Sequence, residues 1–234
     1  QRLTLSVAHT TPATPGQPNQ PAAPIPLRIG FVSESGAELR AHHASADATE
    51  HLVILDADAA DLVFEGIAER PIPAILRGCS APVVLDDGLS SDDRFVQMAH
   101  DPDPFTRWEA GQRLMRDAVL NAADGADATS AFHAIANALK RELHRASADA
   151  AFAALVLRPP DLPDLVQAAI RPDPVALHEG RSALCATIAG ALSAKLEDVC
   201  NTPSPHPFSP DSTQAGQRAL KSACLALLAH DLSL

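Results

Sequence analysis

Up to about Leu89 the apolar residues return at every second position in short bursts: Leu3, Leu5 and Val7; Leu27, Ile29 and Phe31; Leu52 and Ile54; Leu62 and Phe64; Val83 and Leu85. Period two marks strands with one face in a core. The separators, among them Glu34-Ser35-Gly36, Asp56-Ala57-Asp58-Ala59 and Asp86-Asp87-Gly88, are turn-forming, and no helical face intervenes. A small antiparallel β-sandwich over residues 1–89 follows. Residues 11–26 hold six prolines. Because this stretch lies between two strand-like segments, it is read as a long loop along the sandwich edge rather than a linker between domains.

From Ser90 the period changes to 3.6 and alanine becomes abundant. Ser91-Asp92-Asp93 caps a short helix carrying Phe95, Val96 and Met98. Asp103-Pro104 opens a second helix, expected to bury Phe105, Trp108 and Leu114 with Trp108 as its central anchor. Further helices are predicted over 127–145, 148–157 and 161–170, from Asp173-Pro174 to about Val199, and from near Asp211 to the end. The connecting turns are short and polar, so residues 90–234 should form an all-α array of antiparallel neighbours. The last helix carries an apolar stripe of Leu220, Cys224, Leu227 and Leu228. Two readings of it stand: an uncovered stripe through which the chain self-associates, or a stripe turned inward against residues 175–196.

At 234 residues the chain can bury one large core or two ordinary ones. Lys plus Arg number 18 against 29 Asp plus Glu, a net charge of −11, so the cationic field that draws proteins to nucleic acid or anionic membrane is missing. No apolar run approaches the ~20 residues of a membrane span. With seven Phe, one Trp and no Tyr, the stacking platforms of single-strand binders are also missing. Cys79, Cys185, Cys200 and Cys224 are dispersed without a CxxC pair, which reads as reduced thiols in a cytoplasmic protein. The chain opens with Gln1 inside a strand-like alternation, and its start is read as a cut in a longer protein.

Candidate chemistry is thin. His178-Glu179 begins like the zinc-protease signature HExxH, but Ser182 stands where the second His must be, leaving an exposed helical pair. His42, His43 and His51 lack a carboxylate or thiol at ligand spacing and read as a polar loop. Asp56, Asp58 and Asp61 suggest a calcium loop, yet Asp61 occupies the sixth position, which needs Gly, and Ile67 the twelfth, which needs Glu. No phosphate-binding glycine loop and no GxSxG is present. Cys185, Cys200 and Cys224 fall on or beside predicted helices, as small core residues do.

The run Glu69-Arg70-Pro71-Ile72-Pro73-Ala74-Ile75-Leu76-Arg77-Gly78-Cys79-Ser80-Ala81-Pro82-Val83, followed by Asp103-Pro104-Phe105-Thr106-Arg107-Trp108-Glu109-Ala110-Gly111-Gln112-Arg113-Leu114, resembles the bacterial aminopeptidase N family of zinc-dependent alanyl aminopeptidases. Leu3-Thr4-Leu5-Ser6 with Thr11-Pro12-Ala13-Thr14-Pro15, and Arg218-Ala219-Leu220-Lys221-Ser222-Ala223-Cys224-Leu225, extend the resemblance over essentially the whole chain. It implies a four-part parent: an N-terminal β domain, a thermolysin-like zinc domain, a small Ig-like sandwich and a helical superhelix of HEAT or armadillo kind. Residues 1–89 would be the sandwich and 90–234 the first part of the superhelix.

The family's GxMEN motif is missing, since Val96 and Arg113 stand two residues before Met98 and Met115, and so are HExxH and its later glutamate. No catalytic, cofactor-binding or metal-binding residue is therefore assigned to any position. The expectation is a non-catalytic fragment whose parent holds zinc, acts on the N-termini of peptides and supplies the catalytic domain as this chain's partner, with no nucleic acid or membrane involved. The competing reading is a free-standing protein-interaction module without peptidase activity.

Overall fold

In the computed structural model, which describes residues 2–16, 23–203 and 207–231, the chain forms two compact units, residues 1–107 and 108–234. The first is a two-sheet sandwich with a helix. Strands β1 (Arg2–Ala8), β6 (Ala59–Glu65), β3 (Ala41–His43) and β4 (Ala46–Ala48) form one sheet, in that order, and β5 (Glu50–Leu55), β2 (Ile25–Ser33) and β7 (Pro71–Ile75) the other. The named pairings are antiparallel, as the alternation implied. The chain passes from β1 in one sheet to β2 in the other; of the intervening stretch, read above as a loop along the sandwich edge, residues 17–22 lie outside the described residues. Leu27, Ile29, Phe31, Leu39, Leu55, Leu62, Phe64 and Ile67 fill the space between the sheets, with Phe31 and Phe64 edge to face at 4.8 Å.

Three strand expectations are corrected. Leu52 and Ile54 are 66% and 50% exposed, the reverse of their expected phase. The register explains this: Leu27 opposes Val53 and Ile29 opposes His51, so residues sharing the inner face with Leu27 and Ile29 are His51, Val53 and Leu55. Val83 and Leu85 form no strand; the third strand of that sheet is β7, whose Pro71 and Pro73 break the alternation but are tolerated at a sheet edge. His42 and His43 lie on β3 of a short hairpin, not in a loop.

The helix α1 (Ser91–His100) lies against β2 and β7 within the same unit. It covers their outer face, where Gly30, Val32, Ile72 and Ala74 are buried, so β2 is buried on both sides. Its cap is Ser90, one residue before the expected one, whose hydroxyl accepts from Asp93 N at 3.1 Å.

The second unit is helical: most of α2 (Pro104–Ala123), then α3 (Thr129–Arg145), α4 (Ala150–Val156), α5 (Leu162–Ala168), α6 (Pro174–Asn201) and α7 (Ser212–Asp231). Aspartates cap most of them. Asp103, Asp149, Asp161, Asp173 and Asp211 each accept an N–H of the first turn of α2, α4, α5, α6 and α7, so part of the negative charge is cap chemistry. α6 is the centre, packed by α3, α5 and α7, with Leu177, Leu184, Ile188, Leu192 and Leu196 buried.

α7 also packs on α4, where Gly216 lets the backbones meet: a Cβ there would stand 3.0 Å from Ala151 N. Leu220, Cys224 and Leu227 are buried and Leu228 half-buried, so the stripe of α7 turns inward. Trp108 is only half-buried; the buried face of α2 is Ala110, Leu114, Met115, Ala118 and Val119, which removes Trp108 as an anchor. No described helix is long and apolar enough to cross a membrane.

Candidate functional site

Arg77, Asp93, Arg94, Gln97 and Asp101, five of the buried polar side chains, lie on or against α1. Three attachments hold it to β7 and the residues that flank it. At the N-terminal end, Arg70 donates to both carboxylate oxygens of Asp93, at 2.9 and 3.2 Å, and to Glu34 at 2.7 Å. In the middle, Gln97 Nε2 donates to Pro73 O at 2.8 Å. At the C-terminal end, Arg77 Nη2 donates to Asp101 Oδ2 at 3.0 Å and Nη1 to Glu38 at 3.3 Å. A fourth contact reaches the next helix, where Gly78 N donates to Asp103, the cap of α2, at 3.0 Å.

The two ion pairs differ in environment. The side chains of Arg77 and Asp101 are 2% and 0% exposed, whereas the Arg70 side chain is 56% exposed. Hydrogen bonds from Arg70 hold the Asp93 carboxyl below the usual carboxylate range. Burial pushes Asp101 the other way, upward, against the pull of Arg77. Arg77 fits only because position 30 is glycine: a Cβ there would fall 2.1 Å from its guanidinium carbon. Its Nε is buried without a hydrogen-bond partner, so the site is built around the two Nη groups. Arg94 and Asp87 add a further pair at 2.6 Å, both nearly buried. This arrangement fixes a helix on a sheet. It offers no nucleophile beside a base and no open coordination.

Residues singled out by the sequence do not assemble into a reacting group. His178 and Glu179 are exposed on α6 with Ser182 half-buried beside them. The rings of His43 and His51 lie 5.8 Å apart, both packed on Phe64, and each puts a ring nitrogen on a backbone carbonyl, Val63 O and Ala41 O. Asp56 and Asp58 are exposed in the turn before β6, and Asp61 accepts from Ser6 Oγ at 2.6 Å. Cys79 is exposed, Cys200 half-buried, and Cys185 and Cys224 buried. Burial pushes the Cys224 thiol up to about 12. Among the described residues no group of three or more His, Cys, Asp or Glu could hold a metal ion. The described residues thus do not fit a zinc ion of the kind the resemblance implies for the parent's catalytic domain.

Sequence reasoning made Asp103 the cap of the second helix, as found, and placed Asp93 only within a helix cap; it gave Arg70, Arg77 and Gly78 no structural role and missed Asp93, Asp101, Glu38 and Gly30 as partners of the arginines. The signal was faint: two arginines seven apart within an otherwise apolar run, followed by two aspartates eight apart.

Comparison with known proteins bears on what such a seam belongs to. Residues 1–88 match the family model described as a domain of unknown function, DUF3458, with an Ig-like fold; residues 91–233 match DUF3458_C, described as ARM repeats. Aminopeptidase N of Caulobacter vibrioides is 38% identical over 206 residues, and that of Escherichia coli 29% identical over 233. The chain belongs to the DUF3458_C family and is similar over most of its length to aminopeptidases N. It is also similar to the crystal structure of Legionella pneumophila aminopeptidase A in complex with aspartic acid, with a TM-score of 0.78 and 26% identity over 98% of this chain and 26% of that one. The matches take in 87% and 98% of this chain but 23% and 27% of the Caulobacter and Escherichia proteins, so the chain spans about a quarter of the length of its relatives. An Ig-like sandwich followed by an ARM-like helical array is the architecture these matches describe, as the resemblance implied.

Proposed function

We propose that this chain is a non-catalytic part of a longer zinc-dependent aminopeptidase N, in which it supplies scaffold and part of the helical wall around the peptide cavity. The observation that carries the reading is the 38% identity with the Caulobacter aminopeptidase over 87% of this chain, against only 23% of that enzyme's length. In this reading the catalytic domain, the zinc and the groups that hold it belong to the rest of the parent, whose substrates are peptides with a free N-terminus and whose compartment is the cytoplasm. Residues 1–89 are the sandwich domain and 90–234 the first part of the helical domain. The chain's own contribution is rigidity: the Arg70–Asp93 and Arg77–Asp101 pairs fix α1 to the sandwich without taking part in chemistry.

A graft tests this. The 234 residues replace the matched segment of the Caulobacter aminopeptidase, and hydrolysis of alanine p-nitroanilide is measured for the chimaera and for the isolated chain. A scaffold gives an active chimaera and an inactive isolated chain. A folded but inactive chimaera favours the free-standing interaction module, and hydrolysis by the isolated chain overturns both readings.

A further inference from the structure

The second unit holds an open-sided cleft of ≈ 590 Å³ where the C-terminal ends of α3 and α6 meet the start of α7. That volume lies within the range of small-molecule sites, ~300–1,000 Å³. Its floor is aliphatic: Leu143 and Leu220 are buried and Val199 half-buried. Phe208, 78% exposed, forms a wall. The Arg218 guanidinium sits 4.9 Å from the Phe208 ring centre while its Nη1 donates to Ser209 O at 3.0 Å, which ties this wall to α7.

The charge of the rim is opposite to that of the chain. In a protein of net charge −11, the charged or titratable residues lining the cleft are, among the described residues, His144, Arg218 and Lys221, with no Asp or Glu. Lys221 donates one hydrogen to Thr202 O, and Arg218 uses one Nη group on Ser209 O. An ammonium has three donors and a guanidinium five, so both retain donors for an incoming anion. An aliphatic floor beneath a cationic rim is complementary to one kind of molecule, an apolar chain that ends in a single negative charge.

We propose that this cleft binds an aliphatic monocarboxylate, its chain on Leu143, Val199 and Leu220 and its carboxylate at Arg218 and Lys221. The site is separate from the scaffold role above and needs no peptidase activity to be read.

The probe is sodium decanoate, titrated calorimetrically into the purified 234-residue chain at low ionic strength and below its micelle concentration. Decanol and decyltrimethylammonium serve as neutral and cationic controls. The expected result is one decanoate per chain, with both controls at least ~10-fold weaker because they lose the charge-assisted hydrogen bonds. Lys221→Met should weaken decanoate by about tenfold. Because Lys221 also donates to Thr202 O, Ser147→Trp provides an independent variant: Ser147 is an exposed lining residue outside α7, the helix that carries both cations, and an indole there fills the cleft while leaving both cations in place. It should abolish binding with an unchanged melting temperature. Equal binding of the three probes, binding that survives Ser147→Trp, or no saturable binding overturns the proposal. So does a concentration-dependent dimer, seen by sedimentation and lost in Ser147→Trp, that excludes decanoate, since it assigns the cleft to a second copy.

Discussion

Substituting Asp101 with Asn isolates the charge at the deeper end of the seam. Asn keeps Oδ1, which accepts from Asp103 N at 2.9 Å, and places an amide where Oδ2 meets Arg77. Breaking a buried pair by removing one partner costs about 3–5 kcal/mol, because the remaining charge is left desolvated. Glu38, whose side chain is 38% exposed, stays 3.3 Å from Nη1 and offsets part of that loss, so Asp101→Asn should cost about 3 kcal/mol. Arg77→Met leaves a carboxylate with no exposed surface and without its arginine, and should cost about 4–5 kcal/mol at neutral pH. Its sign with pH is fixed by burial, which already raises the Asp101 carboxyl. Without Arg77 that carboxyl rises further, so the folded variant takes up a proton before the unfolded chain does as pH falls, and its deficit narrows. The double variant should cost little more than the worse single one, which corresponds to a coupling of roughly 2–3 kcal/mol. Hydrogen exchange of the β2 and β7 amides reads the first unit directly. Losses below ~1 kcal/mol for both single variants, or strict additivity in the double, would refute the buried-pair account.

Four further outcomes follow from the same geometry. Gly30→Ala, whose Cβ would overlap the Arg77 guanidinium at 2.1 Å, should reproduce the exchange pattern of Arg77→Met at β2 and β7. Asp93 is held below its ordinary range by Arg70, so its contribution is present above the unfolded pKa and lost as pH falls through the folded one; acid titration of Arg70→Gln, followed by circular dichroism, should show a flatter loss between pH 5 and 2. Phe64→Ala empties a fully buried site under His43 and His51 and should cost ~3–5 kcal/mol in urea denaturation, with Trp108→Ala clearly below it because Trp108 is half-exposed. With a thiol reagent at pH 8, exposed Cys79 should react first and Cys224, pushed up to about 12, last.

Period and punctuation by themselves determined the architecture. Leu3, Leu5, Val7, Leu62 and Phe64 alternate because each strand has one wet face, and Asp-Pro at 103–104 and 173–174 marks helix starts because an acidic acceptor and a fixed φ are local needs. Such signals survive in sequence because neighbours along the chain satisfy them. The missed elements were those whose neighbours lie elsewhere. The run Leu52-Val53-Ile54-Leu55 is apolar in both phases, and only pairing with Leu27 and Ile29 selects Val53 and Leu55 for the core. β7 was hidden by its prolines and by α1, which buries its outer face and erases the alternation. Trp108 drew attention by size, yet Leu114 and Met115 set the buried face of α2. The seam is the extreme case. Arg77 and Asp101 are 24 residues apart, and each alone is a charged residue of the kind usually found at a surface. Their burial is possible only once the fold brings a guanidinium, a carboxylate and a strand glycine to one point, where each removes the cost of desolvating the others.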